Sequence, residues 1–305
     1  MEEKIFYKFK NINENTLNSL TQRYMYFSIP EKLNDPEDCQ IPVVEDSSDE
    51  NIIKWIKHVI ALSNTLGGNP HRFDNLTINS FRELVGNKTI DLAAAAKKAS
   101  NNFHIFSLTD CNSTFDMWTH EDYCVNFSGI CIGYKAVKLQ DEYPNYYLSI
   151  NNHNPMRTIE VPAKVKLPFC ILKKIEYDND RQHKYNMFEQ GYSEDFVTQI
   201  QSKKQNEIIM YNLFHKTQNW SKEREYRGFY FNPINNDDSI VYHPDEIIEN
   251  IGFGNNCTKE NRRKIFDIMK TYSNFDEIKF YEASPNQENN KVIIRPIDKN
   301  DLEAL

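Results

Sequence analysis

The alternation of apolar and polar positions predicts short strands separated by helices. Runs with the two-residue period of a strand occur at residues 4–10, 24–28, 103–109, 129–136, 161–165, 170–177 and 226–231. Apolar residues recurring every three or four positions predict helices at residues 13–21, 114–124, 193–215, 244–249 and 258–272. The spacing between strands is that of hairpins, and regular βαβ units are absent. We therefore predict an α+β fold with a mostly antiparallel, partly split sheet.

A stretch of helical sequence interrupts the strands between residues 46 and 101. Ile52, Ile56 and Ile60 recur at helical spacing, and two further helices are predicted at residues 77–85 and 89–100. No Gly/Ser-rich linker or internal repeat divides the chain. The sequence thus predicts one domain, residues 1–305, with a helical insert at about 46–101.

Composition restricts the classes of function. The chain has 305 residues, 39% of them apolar, with a net charge of -8, so any contact with nucleic acid must be local. No run reaches the roughly 18 apolar residues of a membrane span, and the first residues have the pattern of neither a signal nor a transit peptide. Six scattered cysteines without a Cys-x-x-Cys pair indicate reduced thiols and no zinc site. We expect a cytoplasmic protein without a membrane partner.

Several common catalytic motifs are absent from the sequence. The chain has no Gly-x-Gly-x-x-Gly, no Gly-x-x-x-x-Gly-Lys-Ser/Thr and no Gly-x-Ser-x-Gly. The His120-Glu121 pair lacks a second histidine four residues later, so it is not a zinc-protease helix. These absences argue against dinucleotide-fold, P-loop and serine-hydrolase chemistry, and no bound metal is expected.

Two carboxylates, Glu223 and Glu225, lie one residue apart where a polar segment leads into a predicted strand. In extended backbone, residues i and i+2 share a face, so both carboxylates would point into one space, with Arg224 directed away. Like charges held together are often functional. The alternative is a solvated turn in which the carboxylates pair with Lys222, Arg224 and Arg227.

Five separated segments resemble a widespread bacterial domain family of unknown function. That family is marked by Tyr-Lys-Tyr/Phe, Asn-Asp-Pro-Phe-Asp, Met-Trp-x-His-Tyr and Trp-x-x-Glu-x-Glu-Tyr-Arg. The corresponding segments here are Phe6-Tyr7-Lys8-Phe9, Asn34-Asp35-Pro36, Met117-Trp118-Thr119-His120, Gly129 to Tyr134 and Trp220-x-x-Glu223-x-Glu225-Tyr226-Arg227. The chain departs from the pattern at Glu37, where the family favours Phe.

The same segments are more distantly similar to the ADP-ribosyltransferase superfamily, which has a split antiparallel sheet. Tyr7-Lys8 corresponds to its first-strand Tyr-His pair, with Lys in place of His. Ser107 and Thr109 resemble its middle Ser-x-Ser/Thr strand. Glu225 resembles its catalytic glutamate, and Glu223 completes the Glu-x-Glu form of arginine-modifying members and some toxins.

This resemblance implies cleavage of NAD at the nicotinamide–ribose bond and transfer of ADP-ribose to a protein or nucleic-acid acceptor. Glu225 would stabilise the oxocarbenium-like transition state, and Glu223 would activate the acceptor. The implied NAD-binding residues are Tyr7, Lys8, Ser107, Thr109, Trp118, Tyr123 and Arg227. The aromatic members would stack on the bases, and Lys8 and Arg227 would meet the pyrophosphate. A bacterial toxin or phage-defence role, with an antitoxin or other partner protein, would follow.

Two other classes of function remain open from the sequence. A magnesium-dependent nuclease could use Asp35, Asp38, Glu223 and Glu225 as oxygen ligands, with Lys8 near the phosphate. A non-enzymatic subunit could bind a nucleotide or a partner protein without turnover.

Overall fold

The computed structural model describes residues 2–35, 38–39, 42–44, 47–65, 75–87, 91–138, 145–151, 169–179, 188, 207–208, 210–231, 239–286 and 288–305. The strand predicted at residues 161–165 and most of the helix predicted at 193–215 lie outside these ranges.

Strands make up about half of the regular structure in the described ranges. They are β1 Glu2–Lys10, β2 Tyr24–Tyr26, β3 Phe103–Thr109, β4 Ile130–Lys138, β5 Tyr146–Ser149, β6 Phe169–Lys174, β7 Glu176–Tyr177, β8 His215–Lys216, β9 Glu225–Phe231, β10 Ile240–Tyr242, β11 Ile248–Gly254, β12 Lys279–Asn286 and β13 Lys291–Ile297. The α-helices are Glu14–Gln22, Asp49–Thr65, Ile78–Gly86, Leu92–Ser100, Phe115–Thr119, Lys259–Met269 and Lys299–Glu303. Short 3-10 helices lie at Pro30–Lys32, Gln218–Glu223 and Asp245–Ile247.

Six strands form a closed sheet, in the order β1-β3-β9-β6-β5-β4. β4 pairs back onto β1 along its whole length, from Lys138 opposite Glu2 to Ile130 opposite Lys10. On its other side β4 pairs with β11, which extends the sheet through β12 and β13. Only the β11–β12 pair of this sheet is parallel among the described strands. The prediction of a mixed, mainly antiparallel fold is confirmed, but the predicted split is wrong for these strands because β1 and β4 join the two edges.

The two faces of the closed sheet bury different apolar clusters. Side chains that point inward, such as Phe6, Leu108 and Ile132, form the main core with Phe266 from the helix Lys259–Met269. Alternate residues on the outer face of β1 and β4 pack in a second cluster with Trp118. This two-residue alternation is the one expected of strands covered on both faces.

Local signals explain where helices begin and where one predicted helix fails. The Asn13 side chain accepts a hydrogen bond from the Thr16 N–H at 2.9 Å and caps the helix Glu14–Gln22. After Pro244, the predicted helix at residues 244–249 is a single 3-10 turn, and strand β11 begins at Ile248. The adjacent β-branched residues Ile247 and Ile248 favour the strand.

The region of the predicted insert contains three of the helices and has a small core of its own. Ile52 and Ile56 from the first helix pack with Phe81 from the second and with Phe188. None of the described helices combines the length and the apolarity needed to cross a bilayer.

Candidate functional site

In the closed sheet, strands β1 and β3 are only weakly paired, and we call the junction between them the seam. Among the described residues these strands share one bridge, Tyr7 opposite Thr109. Beside the bridge, Lys8 Nζ donates a hydrogen bond to the main-chain carbonyl of Ser107 at 2.8 Å. The same ammonium lies 5.2 Å from the centre of the Phe106 ring. The Lys8 side chain therefore fills the gap that opens where the two strands separate.

A cleft of about 100 Å³ lies at this seam. Its lining includes seven of the residues proposed from the sequence, namely Tyr7, Lys8, Ser107, Thr109, Tyr123, Glu223 and Glu225. Residues up to 218 positions apart in sequence thus share one small space. Phe9, Leu33 and Met117 supply apolar wall, and Asn34, Asp38 and Lys216 add polar groups that carried no NAD-binding role in the sequence-based prediction.

A row of residues runs across five strands beside the cleft, and Tyr7, Thr109 and Glu225 of this row line it. Glu225 lies opposite Thr109, Thr109 opposite Tyr7, Tyr7 opposite Gly133, and Gly133 opposite Asn250. Residues directly opposite each other in a sheet point to the same face. Because Gly133 has no side chain, the Asn250 amide occupies the space over it. Burial raises the pKa of the Tyr7 phenol, and Asn250 partly opposes that rise. This row places Tyr7 at the mouth of the seam.

The two carboxylates of the Glu-x-Glu segment come together by a turn and not by strand alternation. Glu223 ends the 3-10 helix, Arg224 adopts a left-handed conformation with φ of 50°, and strand β9 begins at Glu225. Both carboxylates reach the Lys216 ammonium, at 2.8 and 2.9 Å respectively. The predicted proximity is found, but the extended geometry assumed for Glu223 is wrong. Arg224 is directed away, as predicted, and pairs with Asp110 at 2.6 Å.

Lys216 joins three carboxylates in the lining of the cleft. Besides the two glutamates, Asp38 lies 3.3 Å from its Nζ, and only 4% of the Lys216 side chain is exposed. Burial opposes charge on this ammonium, but Glu225 and Asp38 outweigh that cost and raise the pKa of Lys216 above its ordinary range. The lysine remains a fixed cation.

Arg227 is the second buried cation of this network. Its Nε donates to Glu225 Oε1 at 2.7 Å and its Nη2 to Glu225 Oε2 at 3.1 Å, a two-pronged contact. The guanidinium also pairs with Asp38 and donates to the Leu213 carbonyl at 2.5 Å. Burial would raise the pKa of Glu225, but Arg227 and Lys216 hold that pKa well below the ordinary value. Glu225 is therefore ionised.

Tyr123 connects Glu223 to the loop that carries Asn34. The Tyr123 hydroxyl donates to Glu223 Oε1 at 2.7 Å and accepts from the Asn34 amide at 3.2 Å. Burial and the Glu223 charge both raise the pKa of this phenol, so it is a stable hydrogen-bond donor. The contact fixes the Glu223 carboxylate at the edge of the cleft.

Two of the proposed site residues do not line the cleft. Trp118 is completely buried, packs against Phe9 and Phe127, and donates its indole N–H to the Asn112 carbonyl at 2.8 Å. Arg227 is also completely buried, and its guanidinium is engaged by Glu225 and Asp38. A stacking wall made by Trp118 and a pyrophosphate contact made by Arg227 are thus not supported by where these side chains lie.

Sequence reasoning missed the central role of Lys216. It lies only seven and nine positions before the two glutamates, but a lysine in a polar stretch is usually a surface residue.

No described group of three or more His, Cys, Asp or Glu side chains is arranged to hold a metal ion. Of the carboxylates proposed as magnesium ligands, Asp38, Glu223 and Glu225 instead pair with Lys216, and Arg227 also pairs with Asp38 and Glu225.

Comparison with known proteins finds that part of the chain matches a family of unknown function. Residues 117–228 match the profile of the family described as "Protein of unknown function (DUF2971)". The matched part is a little over a third of the chain, and it runs from Met117 to Gly228. Comparison with curated proteins and with solved structures gave no match. The match supports the first of the two resemblances, and that family carries no assigned activity.

Proposed function

We propose that the protein cleaves NAD at the nicotinamide–ribose bond and passes ADP-ribose to a macromolecular acceptor or to water. The observation that carries this proposal is an ionised glutamate, Glu225, at a cleft shared with Tyr7, Ser107 and Thr109 from two other strands. Cleavage of a glycosidic bond of this kind passes through an oxocarbenium-like state, which a fixed carboxylate stabilises.

The hydrogen bonds of Glu225 indicate how a substrate would enter. An ionised carboxylate offers about four acceptor sites. Arg227 uses two of them and Lys216 a third. Ser107 is the neutral neighbour that helps to lower the pKa of Glu225. A ribose hydroxyl can take the fourth acceptor site beside Ser107 without separating an ion pair.

Glu223 is suited to the acceptor side of the reaction. Its side chain is 12% exposed against 5% for Glu225, so it lies closer to solvent and to an incoming nucleophile. Tyr123 and Lys216 orient its carboxylate. In this proposal Glu223 accepts the proton of the acceptor group as that group attacks the ribose carbon.

The remaining roles follow from which side chains face the cleft. Lys8 is left as the cation that can approach a phosphate oxygen, since Arg227 is engaged elsewhere. Tyr7 and Tyr123 are left as the aromatic side chains beside which the nicotinamide can lie.

We extend the proposal to an ADP-ribosyltransferase-like ancestry of the closed sheet, and to a cytoplasmic bacterial toxin or phage-defence protein with a regulatory partner.

A non-enzymatic binding subunit is the second candidate. The specific observation in its favour is that Lys216 and Arg227 already compensate the charge of Glu225, which weakens the field that a substrate would feel. Such a protein would bind NAD without releasing nicotinamide.

The test measures nicotinamide release and acceptor labelling in parallel, with NAD and a bacterial extract. Glu225→Gln is expected to lower both by two to four decades, about 3 to 5 kcal/mol of transition-state stabilisation. Glu223→Gln is expected to reduce labelling more than release, because hydrolysis by water needs less activation of the acceptor. The exposed Glu246→Gln is the matched control and should behave as wild type.

Folding of each variant is checked by circular dichroism, because both glutamates belong to a buried ion network. Unchanged nicotinamide release in a folded Glu225→Gln variant would refute the enzymatic proposal. Binding of NAD to the wild type by calorimetry, with no release under any condition, would favour the binding subunit.

A further inference from the structure

Two lysines line the same cleft but have opposite surroundings. Lys216 contacts three carboxylates within 3.3 Å. In the part of the chain that the structure describes, Lys8 forms no ion pair, and its ammonium donates to the neutral carbonyl of Ser107. A lysine that is half-buried, faces a cleft and has only neutral contacts is the usual setting for a reactive amine.

We propose that Lys8 is a nucleophilic amine that forms an imine with a short hydroxyaldehyde or similar carbonyl compound in the cleft. The proposal concerns a covalent site and does not depend on NAD cleavage. It rests on the position of the Lys8 amine at the β1–β3 seam, on its single neutral hydrogen-bond partner, and on the contrast with Lys216 in the same cleft.

The electrostatic environment supports this assignment. Burial is the main factor that lowers the pKa of Lys8, to about 8, and the neighbouring Lys10 and Lys216 charges act in the same direction. Glu225 and Glu223 oppose the shift, but they are already paired with Lys216. Compared with an ordinary lysine, a pKa near 8 leaves about 300-fold more unprotonated amine at pH 7.

The chemical step balances without a further reactant. Unprotonated Lys8 Nζ attacks the carbonyl carbon, and one amine proton passes to the carbonyl oxygen. The carbinolamine then loses that oxygen together with the second amine proton as water. The net change is one C=N bond formed, one C=O bond broken and one water released, with no change of oxidation state. Hydrolysis reverses the step, so the site would hold its ligand reversibly.

The lining of the cleft favours a hydroxylated ligand. Tyr7, Ser107 and Thr109 line the cleft together with Lys8, and each of these three residues carries a hydroxyl group. Short hydroxyaldehydes offer one carbonyl for the amine and hydroxyls for these partners. Glycolaldehyde and glyceraldehyde are therefore suitable probes.

The experiment traps the imine in the full-length protein. The chain is incubated at pH 7 with glycolaldehyde and sodium cyanoborohydride, without NAD, and the modification rate of each lysine is measured by peptide mass spectrometry. Lys8 is expected to react at least ten times faster than Lys222 and Lys279, whose side chains are 77% and 73% exposed. Lys216 is expected to react more slowly than both. The Lys8 rate should level off above about pH 8.

The internal comparison makes the result decisive without a variant. Lys8 reacting no faster than the two exposed lysines, or Lys216 reacting as fast as Lys8, would overturn the proposal. Lys8→Arg, which keeps the charge, should abolish the fast modification while the rates at Lys222 and Lys279 stay unchanged. Because no NAD is present, failure here leaves the proposed NAD cleavage untouched, and the reverse also holds.

Discussion

The ammonium of Lys216 lies 2.9 Å from a carboxylate oxygen of Glu225, with 4% and 5% of the two side chains exposed. Removing two charges from water is costly, and apolar residues of similar size often stabilise a core as well or better. A buried pair of this kind beside a cleft therefore points to a function in ligand binding or catalysis more than to stability. The network nevertheless makes each of its members sensitive to substitution.

Loss of the Lys216 charge should strongly destabilise the protein. Lys216→Met leaves Asp38, Glu223 and Glu225 facing one another with Arg227 as the remaining cation, so we expect a loss of about 3 to 5 kcal/mol in the free energy of unfolding, measured in urea. Lys222→Met, at an exposed position, should change it by less than about 0.5 kcal/mol. Adding Glu223→Gln to Lys216→Met should restore part of the loss, and equal stability of Lys216→Met and wild type would contradict the ion network.

Arg227 should not be replaceable by lysine. Arg227→Lys keeps the charge but loses the two-pronged contact with Glu225 and the bond to the Leu213 carbonyl, because an ammonium lacks the planar fork. We expect a cost of about 2 to 4 kcal/mol in the free energy of unfolding. Arg224→Lys, at a site whose side chain is 57% exposed, is the matched control and should cost under about 1 kcal/mol. Similar losses for the two variants would argue against the buried geometry.

A side chain at position 133 should clash with Asn250, which occupies the space above Gly133. A Cβ at position 133 would lie 2.3 Å from the Asn250 side-chain oxygen, so Gly133→Ala should cost about 1 to 3 kcal/mol and displace Tyr7. Combining it with Asn250→Ala should remove much of that cost, which a double-mutant cycle measures. Gly86→Ala, where nothing lies within 4 Å, is the control and should be neutral or slightly stabilising. Additive effects of the two substitutions would show that the added methyl group and the Asn250 side chain do not meet.

The Lys8 charge should lower stability in a pH-dependent way. Its pKa is lowered to about 8 in the folded protein, so between pH 8 and about 10.5 the unfolded chain binds more protons, and wild-type stability rises with pH in that window. Lys8→Met removes this cost. Its gain in the free energy of unfolding over wild type should be largest below pH 8, roughly 2 to 3 kcal/mol, and should shrink as pH rises. Chemical unfolding at several pH values gives the difference. A gain that does not vary with pH would mean that Lys8 is not a desolvated ammonium.

Local signals in the sequence determined most of the elements that the structure describes. The strand at residues 103–109 has the predicted bounds, and the strand at 226–231 begins one residue earlier than predicted. The side chains of these strands pack on both faces of the sheet, so the local pattern of apolar residues is enough to predict each strand. The segment after Pro244 was predicted wrongly, because six residues are too few to separate a helical period from a buried strand.

The sequence by itself also placed Glu223 and Glu225 side by side, because residues two positions apart are close to each other whatever the rest of the chain does. Tertiary structure decided their surroundings. The closure of the sheet depends on Lys138 meeting Glu2, and the buried ion network around Glu225 depends on Lys216 reaching both Glu225 and Asp38, which comes from a distant part of the chain. Such contacts are set by the packing of the whole chain and by the cost of burying unpaired charge, which no short window of sequence expresses.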